Sequence, residues 1–595
     1  MFNKYPINFV RSTECKSHPF SGYDQAWHQI QKKLNSENGN PPFLVVDGTH
    51  GVSFTRFIEK LKERCKRHSY SVTAVHTDQF LKAGEDLRAH FKQNISDNRA
   101  FGSVTTGSIE DYFVKSAQER TLGLLDKYRL RQLTEILVLY GSGAHWLSSG
   151  STATRMFLDI TRENQQLLYK QGVHNFGFDT NEDDLEKYKI ALFVEWPIME
   201  GYRKNALMEF DYYLDMNNAD HPVGLPVHEL QEAVNDISSH PIRVKPFFSP
   251  GVWGGQYLKK LADLPSDWVN CAWSFEPIAP ENSLIIGMED VLIEVPFLLV
   301  MNFAFLRILG ERIVSLFGDI FPIRFNYLDT MDGSNLSCQV HPKQAYIREK
   351  FNYPLEQQES YYIMKKKDGS KVYLGLTESC IKESFLDEVQ KSQETGEPIN
   401  FTEYVQEWVC EEGDLFLIPT GTVHCSGKDN LVLEISATTW WFTFKIYDYV
   451  RKDLDGKPRP LNIDHAEANI DWYKTTNWVQ EQLIPKPMLI NQQNNNSEYV
   501  LGKRDDLLFY VNRIHLTDRW RDHTNGELML INLVVGERVC IQSLDHPGLS
   551  LELGYAESFI LPAVFGAFEI VNLGASCNLI KAGVSPEWQV VVKDE

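Results

Sequence analysis

Residues 337–342 read Ser337-Cys338-Gln339-Val340-His341-Pro342. They are answered downstream by Gly413-Asp414-Leu415-Phe416-Leu417-Ile418-Pro419-Thr420-Gly421-Thr422-Val423-His424. On an extended strand, residues two apart share a face, so Gln339 and His341 point the same way, an oxygen and a nitrogen side by side. The second stretch reads as a strand, a tight turn and a new strand that delivers His424. Between the two lies Glu359-Ser360-Tyr361-Tyr362-Ile363-Met364, an alternating strand that opens on a carboxylate. A metal cage assembled from distant strands of one barrel explains all three. Two imidazoles and a carboxylate suit Zn2+, and the Gln339 oxygen can join them while solvent or substrate takes an open position. The candidate ligands of one zinc ion per chain are therefore Gln339, His341, Glu359 and His424. A lone His in a strand is usually structural, and it is the joint pattern that is specific.

Working outward, the texture from about residue 246 is of short strands rich in Val, Ile, Phe, Tyr and Trp, separated by Gly, Asp and Asn turns. That pattern predicts an all-β barrel, interrupted by a helical insertion near 291–318. Cupin barrels bring ligands from non-adjacent strands into one mouth in this way. The polar run Asn491-Gln492-Gln493-Asn494-Asn495-Asn496-Ser497 reads as an exposed loop. After it, Leu528–Val535, Arg538–Ser543 and Phe559–Pro562 fit a second, smaller barrel. Its histidines, His515, His523 and His546, have no ligand spacing, so no metal is expected there.

Residues 1–235 differ, because strand-like and helix-like segments alternate. Phe43-Leu44-Val45-Val46-Asp47 is an apolar strand, Thr55–Arg67 has helical spacing, and Val72–Phe80, Ile136–Tyr140 and Ile190–Val194 read as further strands. Such alternation predicts a doubly wound parallel sheet. Residues 216–245, with Asn and Pro around one short helical piece, read as the connection. The expected fold is thus multidomain α/β plus β. It comprises a doubly wound P-loop-type sheet over 1–235, a metal-binding cupin (jelly-roll) barrel over 246–465 and a second cupin barrel over 466–595.

At 595 residues the chain is too long for one core. The formal charge of −21 argues against nucleic-acid binding, which needs a basic footprint, but leaves room for a small phosphorylated substrate. Nine scattered cysteines without a C-x-x-C pair read as reduced thiols of a cytoplasmic protein. The start, MFNKYPINFVRSTE, has no apolar core of signal-peptide length. Val295–Leu306 is too short to span a bilayer and reads as a buried helix, so no membrane role is expected. Oligomeric state is left open.

The residues from about 247 to 595 resemble class I (type I) mannose-6-phosphate isomerases. The resemblance runs through Val252-Trp253-Gly254-Gly255, Cys271-Ala272-Trp273-Ser274, Asp329 to Pro342, the Pro419–His424 turn and Leu433-Glu434-Ile435. It ends with Tyr447-Asp448-Tyr449 and Asp453-Leu454-Asp455-Gly456-Lys457-Pro458-Arg459-Pro460-Leu461. It implies zinc bound by the four candidate ligands and interconversion of mannose 6-phosphate with fructose 6-phosphate through an enediol(ate). Lys445 stands where the family usually has Arg; it keeps the charge and loses the two-pronged donor geometry. Glu434 matches an acidic position near the family's active site, and reads equally as a strand carboxylate paired with Lys445. Lys457 and Arg459 are candidates for phosphate contact or solvated loop charges. Trp440-Trp441-Phe442 is bulkier than the polar run usual there, and either lines the pocket or fills the core.

Near the start, Asp47-Gly48-Thr49-His50-Gly51-Val52-Ser53-Phe54-Thr55 follows a strand and opens a helix, the context of a nucleotide-binding loop. This region resembles a uridine kinase-type P-loop domain in which Phe54 replaces the Lys that reaches the terminal phosphates. Gly48, Gly51, Thr55 and Asp78 are the candidate nucleotide residues, with Asp111, Arg162 and Glu163 as further polar positions. Without the Lys, a pseudokinase retained for packing, oligomerisation or ligand sensing is the favoured reading. The expected function is a zinc-dependent aldose–ketose isomerase; the alternatives are a catalytically weak sugar-phosphate sensor and a bifunctional sugar kinase–isomerase.

Overall fold

In the computed structural model, which describes residues 2–11, 18–36, 42–129, 135–179, 181, 183–439, 441–452, 459 and 461–588, the run Phe43–Gly48 is a strand buried along its whole length. Leu44 and Val46 pack into one apolar cluster with Phe57, Ile58 and Leu61, while Phe43 and Val45 pack into another with Phe80, Tyr112 and Phe113. Burial on both faces is why the run is continuously apolar. Thr154–Asp159 and Glu135–Tyr140 flank it in parallel. Ser71–His76 and Tyr212–Asp215 extend the parallel sheet, and Val223–Pro226 and Phe20–Ser21 close one edge antiparallel. The helix Phe54–Arg67 buries Phe54, Phe57, Ile58, Leu61 and Cys65, the stripe that a helical period predicts.

Ile190–Val194 is not a strand. It continues the helix Asp184–Ile190 through a π-helical segment, Ala191–Glu195, into the helix Trp196–Ala206. A short apolar run does not distinguish a strand from a buried helix. Here Asp183 starts the helix by accepting from Leu185 N and Glu186 N, which selects it. The sheet and its helices form one unit, Ile7–Ile237 with Ser283–Phe303. Within that unit, Ile7–Phe9 pairs in parallel with Ser283–Met288, which forms a hairpin with Val291–Pro296. The predicted helical insertion therefore begins as a strand. Helix starts only at Phe297–Leu309 and continues in Glu311–Phe317.

The second unit comprises Met1–Pro6, Ser238–Asn282 and Ala304–Glu595. Its first sandwich has two antiparallel sheets among the described residues. A six-stranded sheet runs Leu415–Ile418, Glu359–Lys366, Asn430–Ala437, Ile323–Asp329, Trp273–Phe275, Phe247–Ser249. A five-stranded sheet runs Val405–Val409, Lys371–Leu376, His424–Ser426, Cys338–Val340, Phe444–Tyr447. A second sandwich follows, with Phe509–Leu516, Cys577–Val584 and Met529–Val535 at the middle of one sheet and Ala567–Asn572 and Arg538–Ser543 at the middle of the other. Trp520, Leu533, Ile541, Phe559, Phe568 and Leu579 form its core. The polar run at 491–497 is a hairpin: Met488–Gln493 pairs with Asn496–Gly502. Asn494 takes the left-handed conformation at its tip (φ 54°), which Asn tolerates better than most residues. No helix of the described residues is long and apolar enough to cross a membrane.

Candidate metal centre

Gln339 sits mid-strand in the five-stranded sheet, with His424 directly opposite on one neighbour and Lys445 directly opposite on the other. Residues opposite each other in a regular antiparallel pair point to the same face, which puts Gln339 and His424 side by side; the pairing toward Lys445 carries a bulge between Cys338 and Gln339. His341 leaves the same strand two residues later. The turn that delivers His424 depends on Gly421, which has φ +77° and whose Cβ would meet Asp471 Oδ2 at 2.4 Å. Gly421 N donates to His341 O at 3.1 Å, which ties the turn to another candidate ligand. Glu359 comes from the facing six-stranded sheet.

The four side chains converge and are buried: His341 is 1% exposed, Glu359 2%, His424 0% and Gln339 8%. Ligand atoms of His341, Glu359 and His424 all lie within 4.8 Å of one another. His341 Nε2 is 3.1 Å from Glu359 Oε1, and His424 Nε2 is 3.4 Å from Glu359 Oε2. The Gln339 amide lies 3.3 Å from His424 Nε2. Each imidazole places its Nδ1 against a backbone carbonyl, His341 on Phe442 O at 3.1 Å and His424 on Thr422 O at 2.9 Å. Donation of Nδ1–H there turns both Nε2 lone pairs toward the centre. His341 Nε2 and Glu359 Oε2 are buried without a hydrogen-bond partner. Orphaned buried acceptors are rare unless something else satisfies them. Together with the nitrogen and oxygen donor set, they fit a divalent cation. The cluster is one that could hold a metal ion.

Two neighbours of Glu359 escaped the reading of the sequence. Arg324 Nη2 lies 2.9 Å from Glu359 Oε1 and 2.6 Å from Glu434 Oε1, and Gln357 Nε2 donates to Glu359 Oε1 at 2.7 Å. The signal for Arg324 was the alternation in Ile323-Arg324-Phe325-Asn326-Tyr327, where polar residues recur on one face of an otherwise apolar strand. Burial alone would raise the Glu359 carboxyl, but His341, His424 and Arg324 outweigh it and hold Glu359 well below the usual carboxylate range. Glu434 goes the other way: burial first, and the Glu359 charge second, push it up to about 8. Of the two acids, Glu434 is the more readily protonated and Glu359 the one held ionised.

Glu434 thus pairs with Arg324 on its own sheet, while Lys445 lies on the facing sheet, half-buried beside Gln339. Arg459 is committed to Asp448 Oδ2 at 2.8 Å and Ser337 Oγ at 3.0 Å. Lys457 and Trp440 lie outside the described residues. Phe442 is core, and the Trp441 ring packs 5.6 Å from that of Tyr353.

In the other unit, the loop after Phe43–Gly48 folds onto its neighbours. A Cβ on Gly48 would meet Leu158 O at 2.1 Å, and Gly51 adopts φ +97° beside Ile160 and Leu168. Thr49 N donates to Leu158 O and Val52 N to Thr49 O, so N–H groups that a phosphate cradle would need are already engaged. Thr55 and Asp78 are exposed, the latter 3.2 Å from His76 Nδ1. Asp111 faces His90, and Arg162 pairs with Glu200 over the Trp196 ring.

A family model described as "Domain of unknown function (DUF8485)" matches residues 22–239. The chain is 26% identical over 341 residues to the probable mannose-6-phosphate isomerase GmuF of Bacillus subtilis, covering 56% of this chain and 96% of that protein. It is 28% identical over 232 residues to mannose-6-phosphate isomerase ManA of the same organism, covering 38% of this chain and 67% of that protein. To the mannose-6-phosphate isomerase of Streptococcus mutans it is 28% identical over 250 residues, covering 40% and 72%. Among solved structures, the mannose 6-phosphate isomerase from Bacillus subtilis aligns over 58% of this chain and all of that one, with 20% identity and a TM-score of 0.47. Over 56% of its length this chain is similar to a protein named probable mannose-6-phosphate isomerase, and over 38–40% to two named mannose-6-phosphate isomerase.

Proposed function

We propose that this protein is a zinc-dependent aldose–ketose isomerase that interconverts mannose 6-phosphate and fructose 6-phosphate through an enediol(ate). The observation that carries the proposal is the buried His341–Glu359–His424 cluster with its two orphaned acceptors, in a chain whose curated relatives bear that enzyme's name. Gln339, His341, Glu359 and His424 would hold the ion, and zinc supplies Lewis-acid polarisation of substrate oxygens. A shift of the carbonyl between C1 and C2 takes a proton from the carbon beside it and returns one to its neighbour. Glu434, in its ionised form, is the candidate to take that proton and return it to the neighbouring carbon. Lys445, paired opposite Gln339, is the cation for negative charge developing on the sugar oxygens. Arg459 reaches a phosphate only by sharing its hold on Asp448, and Lys457 is the other residue proposed for phosphate contact.

The remaining domain assignments accompany this reading: a degenerate nucleotide-type domain over 1–235, the metal-binding barrel over 246–465 and a barrel without metal over 466–595. The Lys in place of Arg at 445 favours, as a second reading, a weakly active sensor of the same sugar phosphate. Metal analysis with a coupled isomerase assay, before and after chelation, separates them. One zinc per chain and turnover abolished by chelation are expected. Undiminished turnover in metal-free protein rejects the mechanism, and sugar-phosphate binding without turnover selects the sensor.

A further inference from the structure

Arg324 is 2% exposed and belongs to Ile323–Asp329 in the six-stranded sheet. Asn430–Ala437 lies between that strand and the strand of Glu359. Arg324 is opposite Ser436, and Asn326 and Tyr361 are both opposite Glu434. The two-residue period then puts Arg324, Asn326, Glu359, Tyr361 and Glu434 on one inward face. The Arg324 side chain crosses the intervening strand, and its Nη2 reaches Glu359 Oε1 and Glu434 Oε1 together. Gln357 adds a second donor to the same Glu359 Oε1. Both donors therefore load one carboxylate oxygen, and Oε2 keeps no hydrogen-bond partner while facing His424 Nε2.

We propose that Arg324 is a positioning residue of the metal centre: it clamps Glu359 through Oε1 and so presents Oε2 to the ion. A carboxylate gripped on one oxygen has its plane set, and partners one step behind a ligand govern metal affinity for that reason. The same guanidinium lies between two buried acids, Glu359 and Glu434, and supplies the cation that both face. Gln357 is the auxiliary donor, too short and uncharged to serve both acids. The inference rests on the cluster holding a metal, and not on the identity of the sugar.

The test is zinc affinity by chelator competition on the purified full chain, with melting of the metal-free protein measured alongside. Arg324→Met is expected to weaken zinc binding about 10- to 100-fold, and Arg324→Lys to recover most of that loss by restoring a donor and a charge. A role confined to stability would lower the melting temperature and leave the folded protein's affinity at the wild-type value, and that outcome overturns the proposal. If Arg324→Met does not fold, the double variant Arg324→Met/Glu434→Gln removes the stranded acid with its cation. Recovered folding with weakened zinc binding is then expected, and wild-type affinity overturns the proposal. Affinity is read without substrate. A wild-type chain whose zinc affinity depends on Arg324 but that turns over no mannose 6-phosphate would reject the proposed reaction and keep this inference, whereas a wild-type chain that binds no zinc overturns both.

Discussion

Replacing His424 separates a ligand from a packing residue. His424→Ala removes a fully buried imidazole that is held by Thr422 O at 2.9 Å and faces Glu359 Oε2 at 3.4 Å. Four-ligand zinc sites have apparent binding energies of about 10–16 kcal/mol, so one ligand in four corresponds to about 3 kcal/mol, on the order of 100-fold in affinity. The deletion also leaves a void, at about 3–5 kcal/mol if the ring behaves like other buried aromatics, and strands the Thr422 carbonyl, at about 1–3 kcal/mol. The packing and ligand losses are separable. His424→Gln fills much of the space and keeps a donor, so it should melt closer to wild type than His424→Ala while both lose zinc. Chelator competition gives the affinity, circular dichroism the melting temperature, and a coupled assay the turnover. Full turnover by His424→Ala that metal analysis shows to be zinc-free would refute the reasoning. So would affinities within a few-fold of wild type in both variants.

Three further outcomes are expected. Lys445→Met should lower kcat about 100-fold, as loss of a charge-stabilising donor does, with zinc content unchanged; an unaltered kcat takes Lys445 out of the chemistry. Gly421→Ala forces a Cβ to within 2.4 Å of Asp471 Oδ2 at φ +77°. It should cost about 1–3 kcal/mol in urea unfolding and weaken zinc binding as well, because the turn delivers His424; normal zinc affinity would uncouple the turn from the site. Asp47 accepts from Gly48 N, Gly143 N, His145 N and Tyr202 Oη, and burial lifts its carboxyl from 3.8 to about 6. The folded state holds that proton more tightly than the unfolded chain, so this group's stabilisation is present at low pH and lost as pH rises through about 6. The loss is about 3 kcal/mol. Asn cannot titrate, so the stability of Asp47→Asn relative to wild type should rise by about that amount between about pH 4 and about pH 7. Hydrogen-exchange protection of Phe43–Gly48 reports it, and a difference independent of pH would contradict the assignment.

The strands most easily read were those with a pattern of their own. Phe43–Gly48 is apolar throughout because both faces are covered, and Arg538–Ser543 and Met529–Val535 were placed almost to the residue. Ile190–Val194 misled because five apolar residues satisfy a strand and a buried helix equally, and the deciding cap at Asp183 lies outside the run. The Asn-rich segment 491–497 misled because polarity reports exposure, not the absence of pairing: Met488–Gln493 is an exposed edge strand.

The ligand types at the candidate centre were legible in chain order, because a side chain's chemistry is local and a two-residue period tells which neighbours share its face. Gln339 and His341 announce themselves in this way, and the turn before His424 does so through its glycine. Which cation sits beside the acids was not legible. Charge alone suggested Lys445 for Glu434, yet the partner is Arg324, 110 residues from Glu434 and 35 from Glu359. Those separations become contacts of 2.6 and 2.9 Å only when strand order and register set three strands side by side. Pairing between strands depends on the packing of whole faces, which no single segment of the chain contains.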